Sequence, residues 1–209
     1  MLVKNKMTVN PIIVHPDQTI SEVLDLMHAH QIHRIPVVDK GKLVGLVTQG
    51  VVQENTPSHL TTLSIHEMNY LLSKTKVVDI MLKKVMTINA EALIEEAADI
   101  MDKQDIGCLP VVGEDNVLLG ILTTGDILKA FVELLGLHQR GTKITVEAED
   151  DRVGVIAEVS ALFAAAKINI SHFAVNTGIK EFTLRCDEVD SKKVRKILEE
   201  KGFKITSIK

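Results

Sequence analysis

The feature that most constrains this chain is an internal repeat. Gln31-Ile32-His33-Arg34-Ile35-Pro36-Val37-Val38 aligns with Asp105-Ile106-Gly107-Cys108-Leu109-Pro110-Val111-Val112, 74 residues further on, and Asp25-Leu26-Met27 aligns with Asp99-Ile100-Met101 at the same offset. After one inserted residue, Gly45-Leu46-Val47-Thr48-Gln49-Gly50 matches Gly120-Ile121-Leu122-Thr123-Thr124-Gly125, 75 residues on. Two copies of one unit therefore occupy roughly residues 1–135. A repeat constrains architecture more firmly than local propensity, because each unit must bury its apolar face against its neighbour.

Each copy reads strand, helix, strand, strand, helix. In the first, Ile12 to Val14 is a short apolar run before Pro16 and predicts a strand. Thr19-Ile20-Ser21-Glu22 has the Ser/Thr-x-x-Glu pattern that satisfies orphan helix donors reciprocally, so a helix is expected to begin there. Its apolar positions Ile20, Val23, Leu24 and Met27 fall at helical spacing. Ile35 to Val38 and Leu43 to Val47 are β-branched runs separated by Lys40-Gly41-Lys42, which predicts a hairpin. Between the copies, Gln53 to Thr62 is polar, contains Pro57 and reads as a loop, and Ser64 to Leu72 reads as a short helix.

Past Leu137 the run His138-Gln139-Arg140-Gly141-Thr142 breaks the apolar pattern and marks a boundary. Beyond it the pattern predicts a strand from Lys143 to Glu147, then a helix with Val155, Ile156, Val159, Leu162, Phe163 and Ala166 on one stripe and Asp151 as its N-cap. Strands from Ile170 to Val175 and Glu181 to Cys186 are separated by turn residues Asn176-Thr177-Gly178. A helix from about Asp190 to Lys201, ended by Gly202, leads to a last strand from Phe203 to Ile208. The order βαββαβ is ferredoxin-like.

Composition narrows the function. With 45% apolar residues in 209, the chain has enough for packed cores. A net charge of −4 and 3% aromatics, with no Trp, give it neither the basic footprint nor the stacking groups of a nucleic-acid binder. Cys108 and Cys186 lie far apart in apolar contexts with no CxxC spacing, so buried reduced thiols are expected. Met1 to Thr8 lacks the apolar core of a signal peptide, and no run approaches the roughly 20 apolar residues of a membrane span. A cytoplasmic protein without membrane association is the expectation.

The repeated unit resembles the CBS motif: an apolar-Pro-Val-Val strand, then Gly, two apolar residues, Thr or Ser, two more residues and Asp. GILTTGD at residues 120–126 matches that ending in full. The unit at residues 143–208 resembles an ACT domain through Asp151-Arg152-Val153-Gly154 and Ile168-Asn169-Ile170. The combination, with Asn69-Tyr70-Leu71-Leu72-Ser73 between the motifs, is similar to the acetoin-utilisation protein AcuB family. The resemblance implies an α+β chain: a CBS pair (Bateman module) in residues 1–137, with motifs at about 7–55 and 78–135, then a βαββαβ ACT domain in 142–209. CBS pairs also occur inside inosine monophosphate dehydrogenases, but this chain is too short to add a catalytic barrel to these domains.

For function, the resemblance implies regulation rather than catalysis: an adenine-containing ligand (AMP, ADP, ATP, NAD or S-adenosylmethionine) in a cleft between the motifs. The chemistry fits the residue types. A carboxylate accepts hydrogen bonds from both ribose hydroxyls, and a Thr hydroxyl reaches phosphate. By the family pattern Thr123 and Asp126 fill those roles, Ile12 and Ile32 bracket the base, backbone near His33 reads its edge, and the planar fork of Arg34 meets phosphate. The structural alternatives are that Asp126 caps the following helix, Arg34 makes a surface ion pair, and Ile12 and Ile32 are core.

The second cleft keeps Thr48, and Met86, Ile106 and Cys108 offer apolar walls, but Val51 stands where the carboxylate belongs. One dominant ligand site per chain is therefore expected. His28 and His30, two apart on a helix, diverge by about 200° and His33 lies beyond its end, so solvated histidines are expected rather than a metal site. No nucleophile-base spacing is evident. The ACT resemblance points to Asp151, Val153, Gly154, Asn169 and Ile170 for an amino acid, the alternative being that Gly154 only permits close helix packing and the domain dimerises without ligand. A homodimer or higher homo-oligomer, and a regulated partner protein of unknown identity, are implied. The competing readings are an enzyme or accessory subunit of acetoin catabolism, and a purely structural dimerisation module.

Overall fold

The computed structural model describes residues 1–55, 64–147, 153–176, 178 and 180–209. The described chain divides into two compact units, Met1–Leu128 and Lys129–Lys209. The first runs β1 (Thr8–Val9), α1 (Ile20–His30), β2 (Arg34–Asp39), β3 (Lys42–Thr48), α2 (Gln49–Glu54), α3 (Ile65–Lys74), α4 (Val77–Ile80), β4 (Ile88–Asn89), α5 (Ile94–Lys103), β5 (Cys108–Val112), β6 (Leu118–Thr123) and α6 (Thr124–Leu134), whose last turns enter the second unit. That unit continues through β7 (Thr142–Glu147), α7 (Val155–Ala165), β8 (Ile170–Asn176), β9 (Glu181–Cys186), α8 (Ser191–Glu199) and β10 (Lys204–Ile208).

Local chemistry decides several of these boundaries. Thr19 Oγ1 accepts the Glu22 N–H at 3.3 Å while Glu22 Oε2 accepts the Thr19 N–H at 2.7 Å, the reciprocal cap expected at the start of α1. Ser64 and Glu67 repeat the device at α3. The β2–β3 hairpin turns through Lys40 and Gly41, both at positive φ (49° and 80°), the geometry of a two-residue turn that matches strand twist. The structure corrects two expectations. Ile12 to Val14 is not a strand: between Pro11 and Pro16 only Val14 pairs, in a single parallel bridge to Val37. Gln53 and Glu54 finish α2 rather than opening a loop; the remainder of that expected loop, from residue 56, lies outside the described residues.

The two copies exchange their leading segments. β1 pairs with β6 of the second copy, Thr8 opposite Ile121 and Val9 opposite Gly120. Val3 is fully buried in the second copy's core beside Leu109, Val111 and Leu122. In return, Val77 is buried with Ile20, Val23, Ile35 and Val47 in the first copy's core, and Leu82 exchanges backbone hydrogen bonds with Leu46 at 2.9 and 3.0 Å. The motif glycines permit this crossing. A Cβ on Gly45 would lie 2.6 Å from Met81 Sδ and 2.9 Å from the Leu82 carbonyl oxygen, and one on Gly120 would lie 2.8 Å from Met7 Sδ and 2.7 Å from the Thr8 carbonyl oxygen. Each copy is therefore incomplete without a segment contributed from the other.

The second unit has the βαββαβ order with sheet order β10-β7-β9-β8, all neighbours antiparallel. Ile144, Val146, Phe182, Leu184 and Cys186 point to one face, where Val159 and Phe163 of α7 and Val194 and Leu198 of α8 complete a core. Phe182 stacks on Phe173 with ring centroids 5.3 Å apart. The residue preceding α7 is Gly154, at φ 97° with no side-chain cap; Asp151, expected as the cap, lies outside the described residues.

Candidate ligand-binding site

The candidate residues of the repeat collect where each hairpin strand starts and ends. Thr48 closes β3, and its Oγ1 accepts the Val51 N–H at 3.2 Å to cap α2. Thr123 does the same for α6, but there the partner is a carboxylate: the Thr123 N–H and Oγ1–H both donate to Asp126 Oδ2, at 2.9 and 2.7 Å. The helix starts are tied back to the strand starts. Gln49 N–H donates to the His33 carbonyl at 2.9 Å, and Thr124 N–H to the Gly107 carbonyl at 3.2 Å. Asp126 thus serves as a cap; a carboxylate has about four acceptor positions, so capping and ligand recognition are chemically compatible.

Arg34 and Gly107 decide the shape of the seam. Gly107 occupies the repeat position of His33, and Cys108 that of Arg34. With no side chain at 107, the Arg34 guanidinium lies over that backbone: a Cβ on Gly107 would sit 2.9 Å from Arg34 Cζ. Arg34 is half-buried, and among the described residues it makes no ion pair.

A cavity of about 550 Å³ opens here, within the range of small-ligand sites. Leu46, Val85, Met86, Ile106 and Cys108 form apolar wall, and Arg34, Lys84, His33 and Thr48 supply polar groups. Burial pushes the Cys108 thiol above its ordinary range, and the Arg34 charge partly offsets this. Two further cavities flank the seam. One of about 470 Å³ shares Arg34, Asp105, Ile106 and Gly107 and adds Asp102, Thr124 and Ile127; another of about 640 Å³ is lined by Asp25, His28, Ile32, His33 and Gln49 among others.

The structure therefore brings His33 and Arg34, expected beside Asp126, together with Thr48, Met86, Ile106 and Cys108. Thr123 and Asp126 line none of these three cavities. Ile12 is half-buried against the first copy's core. His28, His30 and His33 are exposed, and no metal-binding group of three or more His, Cys, Asp or Glu occurs among the described residues. Lys84 was not legible, since no periodicity marks it; Gly107 was passed over, although the substitution of Gly for His between the copies marks the position.

In the second unit, Val153 is fully exposed, and among the described residues a Cβ on Gly154 would meet nothing within 4 Å. Gly154 does supply a positive φ of 97°, which glycine adopts without strain. Asn169 donates its N–H to Asp187 Oδ1 at 2.9 Å, and Ile170 at the start of β8 pairs with Cys186 at the end of β9. Asp151 lies outside the described residues.

The profile of the CBS domain family matches residues 3–51 and 77–133, and that of the ACT domain matches residues 142–202. The chain is a CBS-pair protein with a C-terminal ACT domain. Among curated relatives, this CBS-pair protein is 32% identical over 155 residues to the uncharacterized protein MJ1426 of Methanocaldococcus jannaschii, covering 63% of this chain and 92% of that one. It is 34% identical over 120 residues to the inosine-5′-monophosphate dehydrogenase of the same organism, 56% of this chain but only 21% of the enzyme. Three solved structures resemble it. A Vibrio cholerae protein described as an acetoin-utilisation protein (AcuB) superposes with TM-score 0.55 and 31% identity over 66% of this chain and 95% of that one. CBSX2 of Arabidopsis thaliana, in complex with AMP, gives 0.54 and 28% over 64% and 97%. The CBS domain pair of protein MJ0100, in complex with 5′-methylthioadenosine and S-adenosyl-L-methionine, gives 0.52 and 29% over 63% and 99%. No helix among the described residues is long and apolar enough to cross a membrane.

Proposed function

We propose that this chain is a cytoplasmic regulatory sensor that binds an adenosine-containing ligand in its CBS pair and relays occupancy to a partner protein through its oligomeric contacts, without catalysis of its own. The observation that carries the reading is the roughly 550 Å³ cavity between the two copies, apolar on one wall and carrying on another the Arg34 guanidinium, which makes no ion pair among the described residues. The complexes of CBSX2 with AMP and of MJ0100 with methylthioadenosine and S-adenosylmethionine support the ligand class. His33 and Arg34, which line this cavity, meet the base edge and a phosphate; the family pattern assigns the ribose and adjacent phosphate to Asp126 and Thr123 and the base to Ile12 and Ile32, none of which lines it, and any shift on binding is limited by the ligand's differential affinity for the two arrangements. A place in acetoin metabolism is supported by the likeness to AcuB.

Calorimetric titration with AMP, ADP, ATP, NAD and S-adenosylmethionine, run beside turnover assays on acetoin, tests this. Saturable binding of at least one of these ligands without turnover is expected. Turnover would make the chain an enzyme, and no binding to any of the five would leave a structural module.

A further inference from the structure

The outer face of the second unit's sheet carries a buried positive charge. Arg185 lies on β9 between Leu184 and Cys186, both fully buried in the core, so strand alternation turns its side chain to the face away from α7 and α8. It is only 9% exposed there. The turn after α6 covers it: Arg185 Nη1–H donates to the Gln139 carbonyl at 2.7 Å, and a Cβ on Gly136 would lie 2.5 Å from Nδ1 of His172, the β8 neighbour of Arg185. That bond uses one edge of the guanidinium and leaves the other, Nε–H beside Nη2–H. Among the described residues Nε is a buried donor with no partner, and Nη2 makes no hydrogen bond. Lys143 stands opposite Arg185 on β7, and among the described residues neither Lys143, His172 nor Arg185 makes an ion pair. The carboxylates around them are engaged elsewhere: Asp187 accepts the Asn169 N–H, Glu188 pairs with Lys193, and Glu147, at the far end of β7, pairs with Lys204. A buried guanidinium with an unmet donor edge is costly unless an anion meets it.

We infer that Arg185 and Lys143 form a site for a small dicarboxylic acid on this outer face. The free edge of the guanidinium presents two parallel N–H donors, which match the two oxygens of one carboxylate. Lys143, whose backbone lies about 5 Å away across the paired strands, supplies a point charge for the second carboxylate. A fork so deeply buried admits a single carboxylate group and not an extended acidic peptide. The Gln139 turn stays in place, because it uses Nη1 alone. The site is separate from the residues to which the ACT resemblance points: Gly154 precedes α7, beyond the opposite end of β7, and Ile170 packs against the core on the other face. It does not rest on nucleotide binding by the CBS pair.

The test titrates the full, isotope-labelled chain with succinate, acetate and inorganic phosphate and follows the Arg185 Nε–H resonance. Succinate is expected to shift that resonance saturably and to bind more tightly than acetate or phosphate. Arg185→Lys, which keeps the charge and loses the fork, should weaken succinate by about 10- to 150-fold, the worth of a charge-assisted contact. Lys143→Gln should weaken it by about two- to fivefold, as for a more exposed charge. Melting temperatures are measured beside both variants. Because Arg185 also holds the Gln139 turn, an Arg185→Lys chain that fails to fold leaves the decision to the resonance in the unaltered chain and to Lys143→Gln. The absence of a saturable shift at Arg185 overturns the inference. So does succinate that binds no more tightly than acetate or phosphate, or that binds folded Arg185→Lys as tightly as the parent. If AMP binds and Arg185 does not respond to succinate, this inference alone fails; if succinate binds at Arg185 and no adenine ligand binds, the proposed function alone fails.

Discussion

Thr123 and Asp126 lock each other: the Thr123 N–H and hydroxyl both donate to Asp126 Oδ2, and Thr123 Oγ1 faces the Asp126 N–H at 3.4 Å. The residue proposed to read ribose is thus also the one that starts α6. Its substitution must be read through both roles.

Asp126→Ala is expected to cost about 0.5–2 kcal/mol of stability through the lost cap. At the dominant cleft it should weaken the adenine ligand by about 10- to 150-fold. Affinity measured beside melting temperature separates the two. Unchanged affinity in a folded variant would leave Asp126 as a helix cap only.

Gly120→Ala and Gly125→Ala should diverge although both belong to one motif. A Cβ at 120 would press on the Thr8 carbonyl at 2.7 Å, so the exchanged strand must move and a loss of about 1–3 kcal/mol is expected. A Cβ at 125 would come no closer than 3.5 Å to Thr123 Oγ1, and in a helix it should be neutral or stabilising by about 0.5–1 kcal/mol. Thermal unfolding of the two variants decides; equal effects would refute the crossing role of Gly120.

Alkaline pH should destabilise the fold through its thiols. Burial raises both Cys108 and Cys186, so each binds its proton more tightly folded than unfolded. That contribution is fully present below the ordinary thiol range and is lost as pH rises through the raised values. The melting temperature should therefore show a decline above about pH 8.5 that Cys108→Val and Cys186→Val together reduce. An unchanged alkaline limb in the double variant would contradict this.

Self-association should depend on α6. Leu128, Phe131 and Leu134 follow one another at helical spacing and are 62%, 57% and 61% exposed, an apolar stripe that water disfavours. At micromolar concentration, sedimentation should show a dimer at least, and Phe131→Glu should shift it toward monomer. A monomeric parent chain, with and without nucleotide, would remove the basis for relay through oligomeric contacts.

Much of the fold was legible because it depends on neighbours in sequence. The Thr19–Glu22 cap, the Lys40-Gly41 turn and the βαββαβ order of the second unit each rest on a few adjacent residues whose hydrogen bonds and φ preferences act locally. The Ile12 to Val14 strand failed because an apolar run says nothing about which backbone groups find partners, and only Val14 does.

The sequence by itself determined the repeat, the two motif endings and their inequality: Asp126 against Val51, Arg34 against Cys108, His33 against Gly107. Only the tertiary structure decided what those differences do. Exchange of the leading segments brings Lys84, Val85 and Met86 to the seam, and the missing side chain at 107 admits Arg34 there. The reason is physical: a cavity wall is assembled from residues more than 70 positions apart, such as Arg34 and Cys108. Their meeting is fixed by core burial and backbone pairing between copies, which no local pattern encodes.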